Sequence, residues 1–277
     1  MTEAVQFDPA PSPAAPAAYP LTNGRNIIAI ASGKGGVGKT WFSITLAHAL
    51  AQAGRRTLLF DGDLGLANVD VQLGITSDGE LAQVVSGAAK LDDIVTPFDG
   101  GAGRNGFDII AGRSGSYGLA NLPPAKLVTL RGELQRFSRN YDWVVLDLGA
   151  GIERTVRHMA AQSRACLVLT TDEPTAITDA YAYIKLTALE RLADGIRIVV
   201  NMASGQEEGE RSYATLLRAC REFLKIEPPL AGIVRRDEQV KESIRRQASL
   251  LQRNPNADAA RDVELIARRI DRELRGR

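Results

Sequence analysis

The chain has 277 residues, 44% of them hydrophobic, and its 34 Lys and Arg against 33 Asp and Glu leave a formal charge of +1. That length suits one large α/β domain or two small ones, and so balanced a charge gives no global field to draw the chain onto nucleic acid or lipid. The two cysteines, Cys166 and Cys220, stand far apart and only two histidines occur, which argues against a zinc site, a cysteine-ligated cluster within one chain and a disulfide framework.

Residues 1–25 are dominated by Ala and Pro and carry few large apolar groups, so they are expected to form a disordered tail. No charged start followed by an apolar stretch marks a secretory signal, and no run nears the roughly 18 apolar residues a membrane span needs. The expected location is the cytoplasm, with the periphery of the inner membrane as the alternative.

From Asn26 short apolar runs alternate with helical stretches. The expected strands are Ile27–Ser32, Thr57–Asp61, Phe107–Ala111, Asp142–Leu148, Ala165–Thr171, Ile196–Asn201 and Leu230–Val234, each lacking polar alternation, as strands covered on both faces should. Between them fall helices over Lys39–Ala53, Pro124–Arg139, Glu153–Gln162, Ala176–Ala193 and Glu208–Leu224, followed by Glu238–Arg246 and Ala259–Leu274. This alternation predicts one α/β domain over 26–277, a doubly wound and mostly parallel sheet flanked by helices.

After the first strand, Gly33, Gly38, Lys39 and Thr40 satisfy the spacing G-x-x-x-x-G-K-[ST] at the opening of a helix. Backbone N–H groups of such a loop enclose polyphosphate, and side chains at Gly35 or Gly36 would block that approach. The helix dipole points its positive end at the same anions. Lys39 supplies a cation to the β- and γ-phosphates and the Thr40 hydroxyl is placed to ligate Mg²⁺. Asp61 and Asp63 close the second strand, near the carboxyl edge where ligands bind in such sheets. In Trp143-Val-Val-Leu-Asp147 a buried strand delivers one carboxylate toward a magnesium shell, and Gly149 and Gly151 then leave room for a γ-phosphate. His48, among alanines and leucines of the first helix, reads as a packing residue, and Cys166 as a buried thiol.

With Lys34 inside it, Lys-Gly-Gly-Val-Gly-Lys-Thr40 resembles the deviant Walker A motif of the MinD/ParA ATPases. The resemblance implies ATP and Mg²⁺ as cofactors, ATP hydrolysis that is slow without a partner, and a homodimer formed with ATP. It makes Lys34, Lys39 and Asp63 the catalytic set: Lys34 reaches the partner's nucleotide and Asp63 orients the attacking water. It places Asp61 by the metal with Thr40 and Asp147. It gives nucleotide contacts to Gly33, Lys34, Gly35, Gly36, Val37, Gly38, Lys39, Thr40 and Trp41, and further ones to Gly149, Glu173 and Asn201, the last on the adenine side.

Three stretches, Asp63-Leu-Gly-Leu-Ala-Asn-Val-Asp-Val-Gln-Leu-Gly74, Gly149-Ala-Gly-Ile152 and Thr170 to Lys185, are similar to the flagellar FlhG/FleN branch, which sets flagellar number and placement. By that resemblance Glu173 and Asp179 lie at a dimer face, with Asp179 as the ion-pair partner of Lys34. A flagellar GTPase or regulator is the implied protein partner. The N-terminal tail lacks the D-Q-A-x-x-L-R element that stimulates such a GTPase. Other departures are Trp41 in place of a small polar residue, Asp172 in place of a proline, and Arg235 at the proline of a G-x-I-P-x-D-like segment that lies along the base.

The alternatives kept in view are a MinD-type division-site ATPase, a ParA-type DNA-partitioning ATPase and a nucleotide-binding scaffold without hydrolysis. Nucleic acid is not the expected partner, because residues 235–277 carry only a mild basic surplus. The last helix could serve as an interfacial membrane helix, but the favoured reading is a core helix packed on the sheet.

Overall fold

The computed structural model of the chain describes residues 24–63, 68–77, 79, 81–101, 105–112 and 123–275. The expected tail falls outside them except at Gly24 and Arg25, which open the first strand. Eight strands form one sheet: β1 (Gly24–Ser32), β2 (Thr57–Gly62), β3 (Thr96–Phe98), β4 (Phe107–Ile110), β5 (Trp143–Ala150), β6 (Ser163–Thr170), β7 (Ile196–Ala203) and β8 (Leu230–Arg235). Their order is β3-β4-β2-β5-β1-β6-β7-β8, all parallel except β3, which runs antiparallel to β4 at the edge. All seven expected strands are present. The eighth, β3, has three residues, one of them Pro97, and an edge is where proline is tolerated in a sheet.

Ten helices are described: α1 (Lys39–Gln52), α2 (Val69–Leu73), α3 (Leu81–Ser86), α4 (Pro124–Phe137), α5 (Arg154–Ala160), α6 (Pro174–Leu189), α7 (Gln206–Ala219, continued by a π turn over Cys220–Leu224), α8 (Glu238–Arg245), α9 (Leu250–Arg253) and α10 (Asp258–Arg275). Successive strand side chains go to opposite faces, and here both faces are apolar. Ile28 and Ile30 of β1, Val145 of β5 and Leu167 of β6 meet α1, α2, α9 and α10. Ile27, Ala29, Val144 and Val168 meet α4, α6 and α7 on the other side.

The last helix buries Val263, Ile266, Ile270 and Leu274 in the first of these layers, against β8 and α1. It is a core helix, as the favoured reading had it. No helix among the described residues is long and apolar enough to cross a membrane.

Candidate functional site

β1 lies between β5 and β6, where the chain's connections diverge to the two halves of the sheet. A crevice opens at the carboxyl ends of the strands at such a switch point, and the loop from Gly33 to Gly38 occupies it. Gly36 (φ +82°) and Gly38 (φ +85°) hold left-handed conformations that a side chain would strain. Gly38 is the N-cap of α1, and no side chain caps that end. The first N–H groups of the helix therefore face the crevice without an intrahelical acceptor.

The loop's glycines serve different needs. A Cβ on Gly33 would collide with the backbone carbonyl of Asp179 in α6, and one on Gly38 would press on the Asn201 amide. A Cβ on Gly36 would meet nothing, and one on Gly35 would find only Ala150 at 4.0 Å, so what a side chain there would fill is the cradle itself.

Three buried charges converge beneath this loop. Lys39 is pushed toward its neutral form by burial, opposed by the nearby carboxylates of Asp147 and Asp63. Asp147 is buried near the end of β5, and its Oδ1 accepts from Ser43 Oγ at 2.9 Å. Burial pushes its carboxyl up to about 6, while hydrogen bonds from Thr40 and Ser43 and the Lys39 charge pull the other way. Asp61 stands beside Asp147 in register on β2. Burial and the Asp147 charge push it up to about 8. Both Asp61 oxygens are engaged with backbone: Oδ1 accepts from Asp63 N at 3.1 Å, and Oδ2 from Asn68 N at 3.1 Å and Val69 N at 3.2 Å. Asp63 itself lies across from Gly149, where an added Cβ would come 3.3 Å from its Oδ1. The Gly149–Gly151 turn is tied to β1 by the Gly151 N–H on the Ser32 carbonyl at 3.0 Å.

Lys34 departs from expectation. Its ammonium pairs with Glu173 Oε2 at 3.0 Å and with Thr175 Oγ1 at 3.0 Å, not with Asp179. Asp179 presents its backbone, not its carboxylate, to the loop, because α6 packs directly on Gly33. Glu173 is the N-cap of α6, and its side chain is spent on Lys34. Asn201 is buried at the end of β7 with Nδ2 on the Val37 carbonyl at 2.8 Å, so it anchors the phosphate loop from below. Trp41 turns into the core, where its bulk is absorbed, and its indole N–H has no hydrogen-bond partner among the described residues. Arg235 forks onto Asp262 of α10, Nε to Oδ2 at 2.9 Å and Nη2 to Oδ1 at 2.8 Å, which directs it at that helix. His48 is a packing residue as expected, its Nδ1 2.6 Å from Ser249 Oγ. Ser43 and Thr175 escaped the sequence reading. Ser43 had a signal, standing one helical turn after Thr40 on the same face.

Residues 28–250 match the CobQ/CobB/MinD/ParA nucleotide-binding domain. The chain belongs to that family. Within reach of it are the antiactivator FleN of Pseudomonas aeruginosa, 36% identical over 245 residues (88% of this chain and 86% of that protein), and the flagellum site-determining protein YlxH of Helicobacter pylori, 31% identical over 241 residues (87% and 80%). Among solved structures, the septum site-determining protein MinD of Pyrococcus horikoshii in complex with Mg-ADP superposes with a TM-score of 0.73 at 24% identity, covering 91% of this chain and 97% of that one. This last likeness shows the shared fold.

Proposed function

We propose that the protein is an ATP-dependent switch that binds Mg·ATP at the Gly33–Thr40 loop, dimerises with it, and acts in setting flagellar number or placement. The observation that carries the nucleotide site is the convergence of buried Lys39, Ser43 and Asp147, with half-buried Thr40, beneath a glycine loop whose helix end is uncapped. The donor set fits the cofactor: Thr40 and Asp147 offer hard oxygen ligands suited to Mg²⁺. Asp61, with both oxygens on N–H groups, acts from outside the metal's direct ligands.

Bound Mg²⁺ withdraws charge from phosphate oxygens; everything else falls to this chain's residues. Lys39 and the amides of the loop hold the phosphates, and Asp63 orients water. Lys34, leaving Glu173, places its cation where charge develops during phosphoryl transfer. No covalent intermediate is required, only positioning and electrostatics.

The flagellar role is supported by the likeness to FleN and YlxH over most of the chain. A protein partner, a flagellar GTPase or regulator, would read the dimer, and peripheral membrane contact would modulate it. Size-exclusion chromatography of the Asp63→Ala protein with Mg·ATP tests the switch. The reading expects a dimer that outlives the wild-type one; a protein that stays monomeric contradicts it. ATP turnover measured with and without liposomes separates a switch from a scaffold. DNA binding that falls steeply with salt would favour a partitioning role.

A further inference from the structure

Resting on the ATPase reading above, we propose that Gln247 is a positioning residue for Asp63, acting by holding the short helix α2 against Asp61. Gln247 follows α8 and sits at φ +52°, a left-handed conformation that side chains other than Gly, Asn and Asp seldom adopt. The turn alone would be served more cheaply by glycine. What glutamine adds is reach: its Nε2 donates to the Val71 carbonyl of α2 at 3.0 Å. Strain retained in exchange for one long-range hydrogen bond points from an outlier to a role.

The contacts run in an unbroken chain to the site. Gly74, the left-handed C-cap of α2, lies flush against the Gln247 side chain, where even an added Cβ would come 3.0 Å from Gln247 Cβ. At the other end of α2, Asn68 and Val69 donate their N–H groups to Asp61 Oδ2. Asp61 Oδ1 accepts the N–H of Asp63. One buried carboxylate thus joins the start of α2 to the backbone that carries Asp63.

The Gln247 turn is itself fixed. Its N–H bonds the Ile244 carbonyl at 3.0 Å, Ala248 N–H bonds Ser243 O at 3.1 Å, and Ser249 Oγ meets His48 in α1 at 2.6 Å. Since α1 also carries Lys39 and Thr40, the phosphate grip and the Asp63 segment are referred to one common turn. α2 has five residues and buries only Val69 and Leu73. A helix that short does not hold itself, so its place depends on such ties.

The test is Gln247→Gly and Gln247→Glu in the full chain. Glycine relieves the left-handed backbone and removes the tether; glutamate keeps the length and sets a carboxylate against the Val71 carbonyl. Both should lower the kcat for ATP about tenfold or more, as expected for a misplaced catalytic group, with KM within about twofold of wild type. Amide exchange over residues 68–75 should quicken in both, while the glycine variant melts within a few degrees of wild type. Wild-type kcat in both variants, with the wild type active, overturns the proposal; so does a fall in kcat that comes with lost ATP binding. A wild type that never hydrolyses ATP sinks the ATPase reading instead, and unchanged exchange over 68–75 would then overturn the tether by itself.

Discussion

At the carboxyl edge of the sheet Lys39, Asp61 and Asp147 are buried and each is shifted toward its neutral form, burial being the first cause in every case. At the amino edge Asp271 shows the reverse: burial works against its charge, but Arg55 and Trp143 hold its carboxyl below the ordinary range. Arg55 donates Nε and Nη2 to Asp271, the latter at 2.7 Å, and buried Trp143 donates Nε1 at 2.8 Å. Both ends hydrogen-bond their carboxylates, but the half-buried amino edge matches one carboxylate with a guanidinium, whereas the carboxyl edge crowds buried Asp61 against Asp147. The amino edge is a finished structural network tying α10 to β5 and to the turn that leads into β2. On the nucleotide-site reading proposed above, the carboxyl edge holds its unfavourable electrostatics in reserve for a triphosphate and its metal.

The comparison breaks most sharply at Lys39. Lys39→Ala should abolish Mg·ATP binding in calorimetry, a loss of on the order of 10³-fold or more in affinity, since a buried phosphate clamp is removed. Because the lysine is unfavourable in the empty site, the variant's nucleotide-free melting temperature should not drop by more than the loss of packing explains. Next comes Asp63→Ala, which should retain ATP and slow hydrolysis by about 10²- to 10⁴-fold, the worth of a positioned acid–base group; single-turnover kinetics reads it.

At the finished end, Asp271→Ala should cost about 2–3 kcal/mol in denaturant unfolding, leaving Trp143 Nε1 and the Arg55 guanidinium without their acceptor. ATP affinity should be unchanged. A stability loss at Asp271 no larger than a surface ion pair's would erase the distinction between the two ends.

The two ends also differ in the sign of their pH response. Asp61 and Asp147 rise from 3.8 to about 8 and about 6, so between about pH 4 and pH 8 the folded state holds protons the unfolded chain has released. Nucleotide-free protein should therefore lose stability as pH rises through that window, by at most about 1.4 kcal/mol per pH unit for each proton. Mg·ATP should flatten the slope by holding both groups ionised. Asp271 contributes stability that is present above its unfolded pKa and lost as pH falls below about 4. The smallest effect belongs to Trp41→Phe, which keeps the packing and deletes a buried donor without a partner; stability should shift by no more than about 1 kcal/mol, toward the more stable side.

The fold was readable wherever physics is local. The seven long apolar runs became strands because burial on both faces removes polar alternation, and the loop was readable because its glycines and lysine are consecutive. Features hidden in the sequence depend on distance or brevity. β3, α2 and α9 span three to five residues, too few for a period to show. Lys34 found Glu173 in place of Asp179 because α6 packs its backbone on Gly33, which no spacing reveals. Arg235 found Asp262 on another element, and Asn201 lies under the loop because β7 ends one strand away from β1 on the far side of β6. Asp61 carried the family's metal-side position, but its oxygens were claimed by backbone N–H groups that only the turn into α2 brings near.

The central claim is that the reserve of buried charge under the Gly33–Thr40 loop exists to be neutralised by Mg·ATP. Isothermal titration of the wild-type chain, with and without Mg²⁺ and beside Asp147→Asn, tests it most directly. The account predicts one saturable ATP site per chain whose affinity depends on Mg²⁺, with that metal dependence lost in Asp147→Asn. No binding heat, or the same Mg²⁺ dependence in Asp147→Asn as in wild type, would contradict it.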